Sequence, residues 1–81
     1  MRTKISDNRQ NVFELQTFLR EIALVTGEIK LVNPDGIFGD DTAQAVREMQ
    51  ERLGFSITGE VDFETWRGIY NEYKDLQNLE P

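Results

Sequence analysis

A glycine turn that leads into a helix occurs twice in this chain, and this duplication constrains the fold more than any other feature. Residues 35–42 read DGIFGDDT, and residues 58–65, which lie 23 positions further on, read TGEVDFET. Both segments place a glycine second, a bulky apolar residue fourth, an acidic residue seventh and a threonine last. Self-similarity at a fixed offset indicates one supersecondary unit that is used twice.

A second repeated segment precedes each turn. Residues 12–19 read VFELQTFL and residues 46–53 read VREMQERL, at an offset of 34. Leu19 is separated from Gly36 by 17 positions but Leu53 from Gly59 by only 6, so the first unit contains 11 extra residues. Because insertions of this kind usually lie at a surface and often carry function, the long loop is a candidate working surface.

The first helix is predicted from apolar residues at spacings of three and four, namely Val12, Leu15, Leu19 and Ile22. Asn11 with Glu14 three residues later would form a capping box at its start. Gly27 is expected to end it. The N-cap itself is expected among three suitable residues, Asp7, Asn8 and Asn11.

Two further helices are predicted after the long loop. The second should begin just after Gly39 and end at Gly54, a good residue for the left-handed C-terminal position. The third should take Asp62 as its N-cap and extend to about Leu76. Residues 28–34 are expected to form an extended connection without a sheet. The predicted fold class is therefore all-α, a compact three-helix domain with an internal pseudo-repeat of helix plus glycine turn.

This domain is assigned to residues 8–76, with flexible termini expected at 1–7 and 77–81. The 81-residue chain has a net charge of −6, which disfavours binding to the phosphate backbone of nucleic acid. No segment approaches the roughly 18 apolar residues of a membrane helix, so membrane insertion is not expected. No signal peptide is visible at the N-terminus. The chain is therefore expected to stay in the cytosol or to be a piece of a longer protein.

The composition also argues against catalysis. The chain has no cysteine and no histidine, which removes thiolate chemistry and the usual general base near neutral pH. Aligning Gly36 with the invariant glycine of a calcium loop places Leu31 at the first ligand position and Thr42 where a glutamate belongs. The 15 carboxylates are expected at helix starts and on solvent-facing surfaces. No metal, cofactor or catalytic residue is therefore predicted.

Taken in order, these motifs carry a family resemblance. They are VxxLQxxL at 12–19, DGIFGxxTxxAVxxMQ at 35–50, and the pairs Gly54-Phe55, Thr58-Gly59 and Thr65-Trp66. The set resembles the peptidoglycan-binding domain of the PG_binding_1 type over about residues 12–73. The resemblance implies a three-helix fold with an internal repeat. It also implies a non-catalytic module that holds an attached cell-wall hydrolase at its substrate.

Three positions depart from the family pattern. Asp40 stands where the family commonly has proline, Met49 where an aromatic residue is usual, and Asp62 where another glycine is frequent. An acid suits the positive end of a helix and methionine fills irregular core space, so the fold is expected to tolerate these changes.

The ligand-binding surface is expected on the rim formed by the long loop, the first glycine turn and the start of the second helix. Stem-peptide carboxylates would favour Arg47 or Arg67. For Phe38 and Trp66, packing in the core is favoured over contact with a ligand. For Gln16 and Gln50, structural hydrogen bonds to loop backbone are favoured over ligand contacts. The candidate binding residues are Asp35, Phe38, Asp40, Thr42, Arg47, Trp66, Arg67 and Tyr70.

The resemblance implies peptidoglycan glycan or stem peptide as the partner of a monomeric chain. It further implies an extracellular or cell-wall location as part of a longer secreted protein. One alternative stays open, a protein–protein or structural adaptor of the same fold that has lost peptidoglycan affinity. The net charge of −6 and the weaker second turn are the two features that keep this alternative beside the leading interpretation, peptidoglycan binding.

Overall fold

The computed structural model of the protein describes residues 8–78, which form three helices and contain no strand. Helix α1 is Arg9–Thr26, α2 is Asp40–Leu53 and α3 is Phe63–Gln77. The predicted all-α three-helix fold is therefore confirmed. The expected flexible segment 1–7 lies outside the described residues, as do residues 79–81, and the assignment of flexible termini stays a prediction.

Helix α1 begins one residue after Asn8, whose side chain accepts a hydrogen bond from the backbone N–H of Asn11 at 3.0 Å. Asn8 is thus the N-cap, and Asn11 lies inside the first turn. The capping box of Asn11 and Glu14 is not the start of the helix, because the earlier cap adds a turn of backbone hydrogen bonds. Gly27 ends α1 in the left-handed conformation, at φ 68°.

The core lies between α1 and the two other helices. Its centre is made of fully buried side chains, among them Leu15, Leu19, Ile22, Val46, Met49 and Ile69. Phe18 extends this core with an aromatic cluster, in which its ring lies 5.6 Å from Trp66, 5.5 Å from Tyr70 and 4.7 Å from Tyr73. Burial of apolar surface of this kind is the main stabilising contribution in a domain of this size.

The long loop between α1 and α2 is tied to the helices by buried apolar residues and by charges. Ile29 and Val32 are buried, whereas Leu31 faces solvent. The backbone N–H of Lys30 donates to Glu48 of α2 at 2.7 Å. Arg52 forms ion pairs with Glu28 of the loop and with Glu72 of α3. Within the described part of the chain, no helix is long and apolar enough to cross a membrane.

Candidate functional site

The first glycine turn, residues 35–39, is held by the buried side chain of Gln16. Its Oε1 accepts the backbone N–H groups of Asp35 and Gly36 at 2.9 and 2.8 Å. Its Nε2 lies 2.9 Å from the carbonyl oxygen of Ile37 and 2.9 Å from the hydroxyl of Thr42. One amide side chain from α1 thus fixes both the turn and the start of α2.

The second glycine turn, residues 58–62, is held by Gln50 in the same way. Its Oε1 accepts the N–H groups of Thr58 and Gly59 at 2.9 and 3.0 Å. Its Nε2 lies 2.9 Å from the carbonyl oxygen of Glu60 and 3.1 Å from the hydroxyl of Thr65. The structural role predicted for both glutamines, hydrogen bonds to loop backbone, is confirmed.

Asp35 gives the first turn a charged side chain. Its Oδ1 accepts the backbone N–H of Ile37 at 2.9 Å and lies 3.1 Å from the Gln16 Nε2. These hydrogen bonds, the one from Ile37 first, hold the pKa of the Asp35 carboxyl below its usual value, because they favour the ionised form. Asp35 is therefore a fixed negative charge at neutral pH on the surface of the turn.

An open groove of about 320 Å³ lies where the long loop, the first turn and the start of α2 meet. We refer to it as the first groove. Asp35, Asp40 and Asp41 make its polar side acidic, and the apolar contribution comes chiefly from Ile37, which is 61% exposed. The lining residues are Val32, Asn33, Asp35, Ile37, Gly39, Asp40, Asp41 and Thr42.

The start of α2 leaves backbone N–H donors near this groove. The N-cap of α2 is Gly39, which has no side chain to accept a hydrogen bond from the first turn of the helix. At α3, by contrast, the Asp62 carboxylate accepts the N–H of Thr65 at 2.8 Å. The first turn of a helix carries N–H groups without intrahelical partners. The first groove therefore combines carboxylate acceptors with backbone donors, a set that can bind amide and hydroxyl groups.

The structure brings only part of the predicted set together. Asp35, Asp40 and Thr42 lie at the first groove, although the Thr42 side chain is buried and its hydroxyl is bonded to Gln16. Phe38 is half-buried and packs against the core. The side chain of Phe38 therefore points into the core and does not line the first groove.

The other four candidates lie elsewhere. Trp66 and Tyr70 belong to the aromatic cluster around Phe18, and Tyr70 remains 40% exposed. Arg47 lies against Gly59 of the second turn and donates to Gln44 at 3.2 Å. Arg67 lines a different groove on α3. The candidate set thus divides among the first groove, the aromatic cluster, the second turn and α3.

Five of the eight residues that line the first groove were not among the candidate binding residues, namely Val32, Asn33, Ile37, Gly39 and Asp41. The exposure of Ile37 could have been predicted from its neighbour Phe38. Successive side chains of an extended segment point to opposite sides, so once Phe38 is placed in the core, Ile37 has to face outward. Asp41 lies in the first turn of α2, where consecutive side chains do not share a face, so it points away from the direction in which the buried Thr42 reaches Gln16.

The match to a family model covers residues 8–69, which include both glycine turns, both glutamines and the first groove. The family is described as "Putative peptidoglycan binding domain". The match spans well over half of the chain, and the protein belongs to this family. Family membership indicates peptidoglycan as the partner. No curated protein and no solved structure matches the chain significantly.

Proposed function

We propose that this chain is a non-catalytic module that binds peptidoglycan through the first groove and holds an attached cell-wall hydrolase at its substrate. The observation that carries this proposal is the family match, which includes every residue of that groove. A module of this type raises the local concentration of a tethered enzyme without taking part in its chemistry. Such a module acts in the cell wall, as one part of a longer secreted protein.

The chemistry of the first groove supports an amide- and hydroxyl-rich ligand. Asp40 and Asp41 offer carboxylate acceptors to hydroxyl, amide N–H or ammonium groups of the wall polymer. The uncapped start of α2 offers donors to carbonyl oxygens. Ile37 offers an exposed apolar side chain for the carbon skeleton of a sugar or for a methyl group. Lys30, whose Nζ lies 3.9 Å from Asp41, partly balances the acidic charge.

The proposal is tested by co-sedimentation of the chain with purified insoluble peptidoglycan. The double variant Ile37→Ser and Asp40→Asn changes two exposed groove residues and should weaken binding about tenfold, the equivalent of about 1.4 kcal/mol. The matched control is Ile57→Ser and Glu51→Gln, which makes the same kinds of change at exposed residues outside the groove. The control should bind within about twofold of the parent chain.

Two results would contradict the proposal in different ways. If the folded chain does not co-sediment at all, peptidoglycan binding is wrong and the adaptor function takes its place. If the chain binds but the groove variant and the control are indistinguishable, peptidoglycan binding stands and the first groove is not its site. NMR shift mapping with soluble peptidoglycan fragments gives an independent measurement, and the amides of 33–42 should move most.

A further inference from the structure

A second groove lies on α3, and three of its lining residues correspond at the offset of 23 to residues that line the first groove. It has a volume of about 350 Å³ and is formed by the loop after α2 and by the outer face of α3. Its lining differs in character from that of the first groove, since aromatic, guanidinium and amide groups replace most of the carboxylates. The residues are Phe55, Phe63, Glu64, Arg67, Gly68 and Asn71.

The guanidinium of Arg67 lies against an aromatic ring and has no carboxylate partner among residues 8–78. The guanidinium carbon of Arg67 lies 5.7 Å from the centre of the Phe63 ring, a cation–π distance. No carboxylate in residues 8–78 forms an ion pair with Arg67. Phe63 itself is 73% exposed. Arg67 is thus positioned by an aromatic ring, and its hydrogen-bond donors remain available to a ligand.

Gly68 explains why a concave surface forms here. A Cβ atom at this position would lie 2.7 Å from Leu53 Cδ1 and 3.0 Å from Phe55 Cε2. A side chain there would push the Phe55 ring away from α3. In the first unit, the positions that correspond at the offset of 23 are Val32 and Ala45. In the second unit the helix residue is therefore smaller (Gly68 instead of alanine) and the loop residue is larger (Phe55 instead of valine). The Phe55 ring forms one wall of the groove.

The two grooves also differ in charge. The lining of the first groove includes three carboxylates, those of Asp35, Asp40 and Asp41, and no cationic side chain. The lining of the second groove includes one carboxylate, that of Glu64, and one guanidinium, that of Arg67, so its formal charges cancel. An anionic ligand is therefore repelled by the first groove and accepted by the second, because Arg67 can form charge-assisted hydrogen bonds with it.

We propose that the second groove binds a free carboxylate of a peptidoglycan stem peptide. The Arg67 guanidinium pairs with the carboxylate, Asn71 lies one helical turn further along the same face as a second donor, and the Phe55 and Phe63 rings contact an adjacent small apolar side chain. This inference rests on the proposed function. It divides the ligand between two grooves, with neutral or cationic groups in the first and a carboxylate in the second.

The test uses isotope-labelled protein and two soluble muropeptides that differ only in their carboxylates, which are free in one and amidated in the other. The free acid should shift the backbone amides of 63–71, and the amidated ligand should bind about tenfold more weakly, as for the loss of one charge-assisted interaction of about 1.4 kcal/mol. Arg67→Gln should lower the affinity for the free acid by the same factor. Lys74→Gln removes one exposed charge from the same helix without touching the groove and should change it less than about twofold.

The outcomes distinguish this inference from the proposed function. Equal affinity for the acid and the amide, or equal affinity of Arg67→Gln and the parent chain, overturns the second groove as a carboxylate site. Shifts confined to 33–42 do the same and leave peptidoglycan binding intact. Shifts at 63–71 by the acid, in a chain that does not co-sediment with peptidoglycan, support the carboxylate site and overturn the proposed function. Arg67→Gln has to retain the amide spectrum of the folded parent chain.

Discussion

At each glycine turn a buried glutamine joins two backbone N–H groups, a carbonyl oxygen and a threonine hydroxyl of the next helix. Leucine at position 16 or 50 would keep the volume but leave buried backbone donors such as the N–H of Gly36 without partners. Each orphaned buried group costs about 1–3 kcal/mol. We therefore expect Gln16→Leu and Gln50→Leu each to lower the free energy of unfolding by about 3 kcal/mol, measured by urea denaturation.

The matched control for these substitutions is Gln10→Leu, at an exposed position of α1. It should change the free energy of unfolding by no more than about 0.5 kcal/mol. A loss below about 1 kcal/mol at position 16 or 50 would mean that the turn finds other partners, and the structural role assigned to the glutamines would be wrong.

Asp35 predicts a pH dependence at the same turn. Hydrogen bonds from Ile37 and Gln16 lower the pKa of its carboxyl in the folded state relative to the unfolded chain. The contribution of the ionised form is therefore complete above the unfolded pKa of about 3.9 and is lost as the pH falls through the lower folded pKa. Asp35→Asn should remove this part of the pH dependence. The stability difference between the parent chain and the variant should shrink as the pH falls below about 4.

The comparison for this measurement is Asp75→Asn, which makes the same change of side chain at an exposed position of α3, away from both glycine turns. The part of the pH dependence that belongs to the first turn is the difference between the curves of the two variants. If Asp35→Asn and Asp75→Asn give parallel curves against pH, the hydrogen bonds to Asp35 do not favour its ionised form.

At the scale of the elements, replacing Gly68 in α3 with alanine has two opposing effects on stability, a gain in helix propensity and a steric overlap. Glycine in a helix interior is less favourable than alanine by about 1 kcal/mol, so propensity alone predicts that Gly68→Ala stabilises α3. The new Cβ atom, however, would overlap Leu53 and Phe55, and overpacking costs about 1–3 kcal/mol. We expect a net loss of about 1 kcal/mol in the free energy of unfolding, with weaker binding of a carboxylate ligand because the Phe55 ring is displaced.

The control is Asp75→Ala, which raises helix propensity at an exposed position of the same helix and creates no overlap. It should be neutral or slightly stabilising in the same urea titration. If Gly68→Ala stabilises the chain as much as this control, Leu53 and Phe55 move aside at little cost and the second groove is not rigid.

The elements themselves could be predicted largely from sequence, since their signals are local. Gly39, Gly54 and Asp62 mark helix ends within one residue, because left-handed conformations and capping depend on a few neighbouring positions. The start of α1 was harder, as Asn8 and Asn11 are equally good caps and only the packing of the additional turn decides between them.

The grooves were less predictable because they depend on contacts between distant segments. The first was anticipated as a region through the 11-residue insertion, but not its lining by Ile37 and Asp41. The second depends on Phe55 lying against Gly68 across two elements, and no spacing within α3 reveals that contact. A comparison of residues at the offset of 23 could have shown that Phe55 replaces a valine, Gly68 an alanine and Arg67 a glutamine in the second unit.

For the whole molecule, the net charge of −6 predicts how binding should respond to salt. A negatively charged chain is repelled by anionic polymers attached to a cell wall. The repulsion extends over about 30 Å at 0.01 M ionic strength and about 10 Å at 0.1 M. Raising the salt concentration across this range should therefore increase, severalfold, the fraction of chain that co-sediments with walls carrying such polymers. For peptidoglycan stripped of them, the same change should have little effect.

A triple variant separates this long-range effect from contacts in the grooves. Glu14→Gln, Glu51→Gln and Asp75→Asn are exposed changes outside both grooves, and they reduce the net charge from −6 to −3. The variant should bind unstripped walls better than the parent chain at low salt and show about half the salt dependence, since the repulsion scales with the charge of the chain. If salt instead weakens binding to both wall preparations equally, attraction between opposite charges dominates and the net charge does not govern access to the wall.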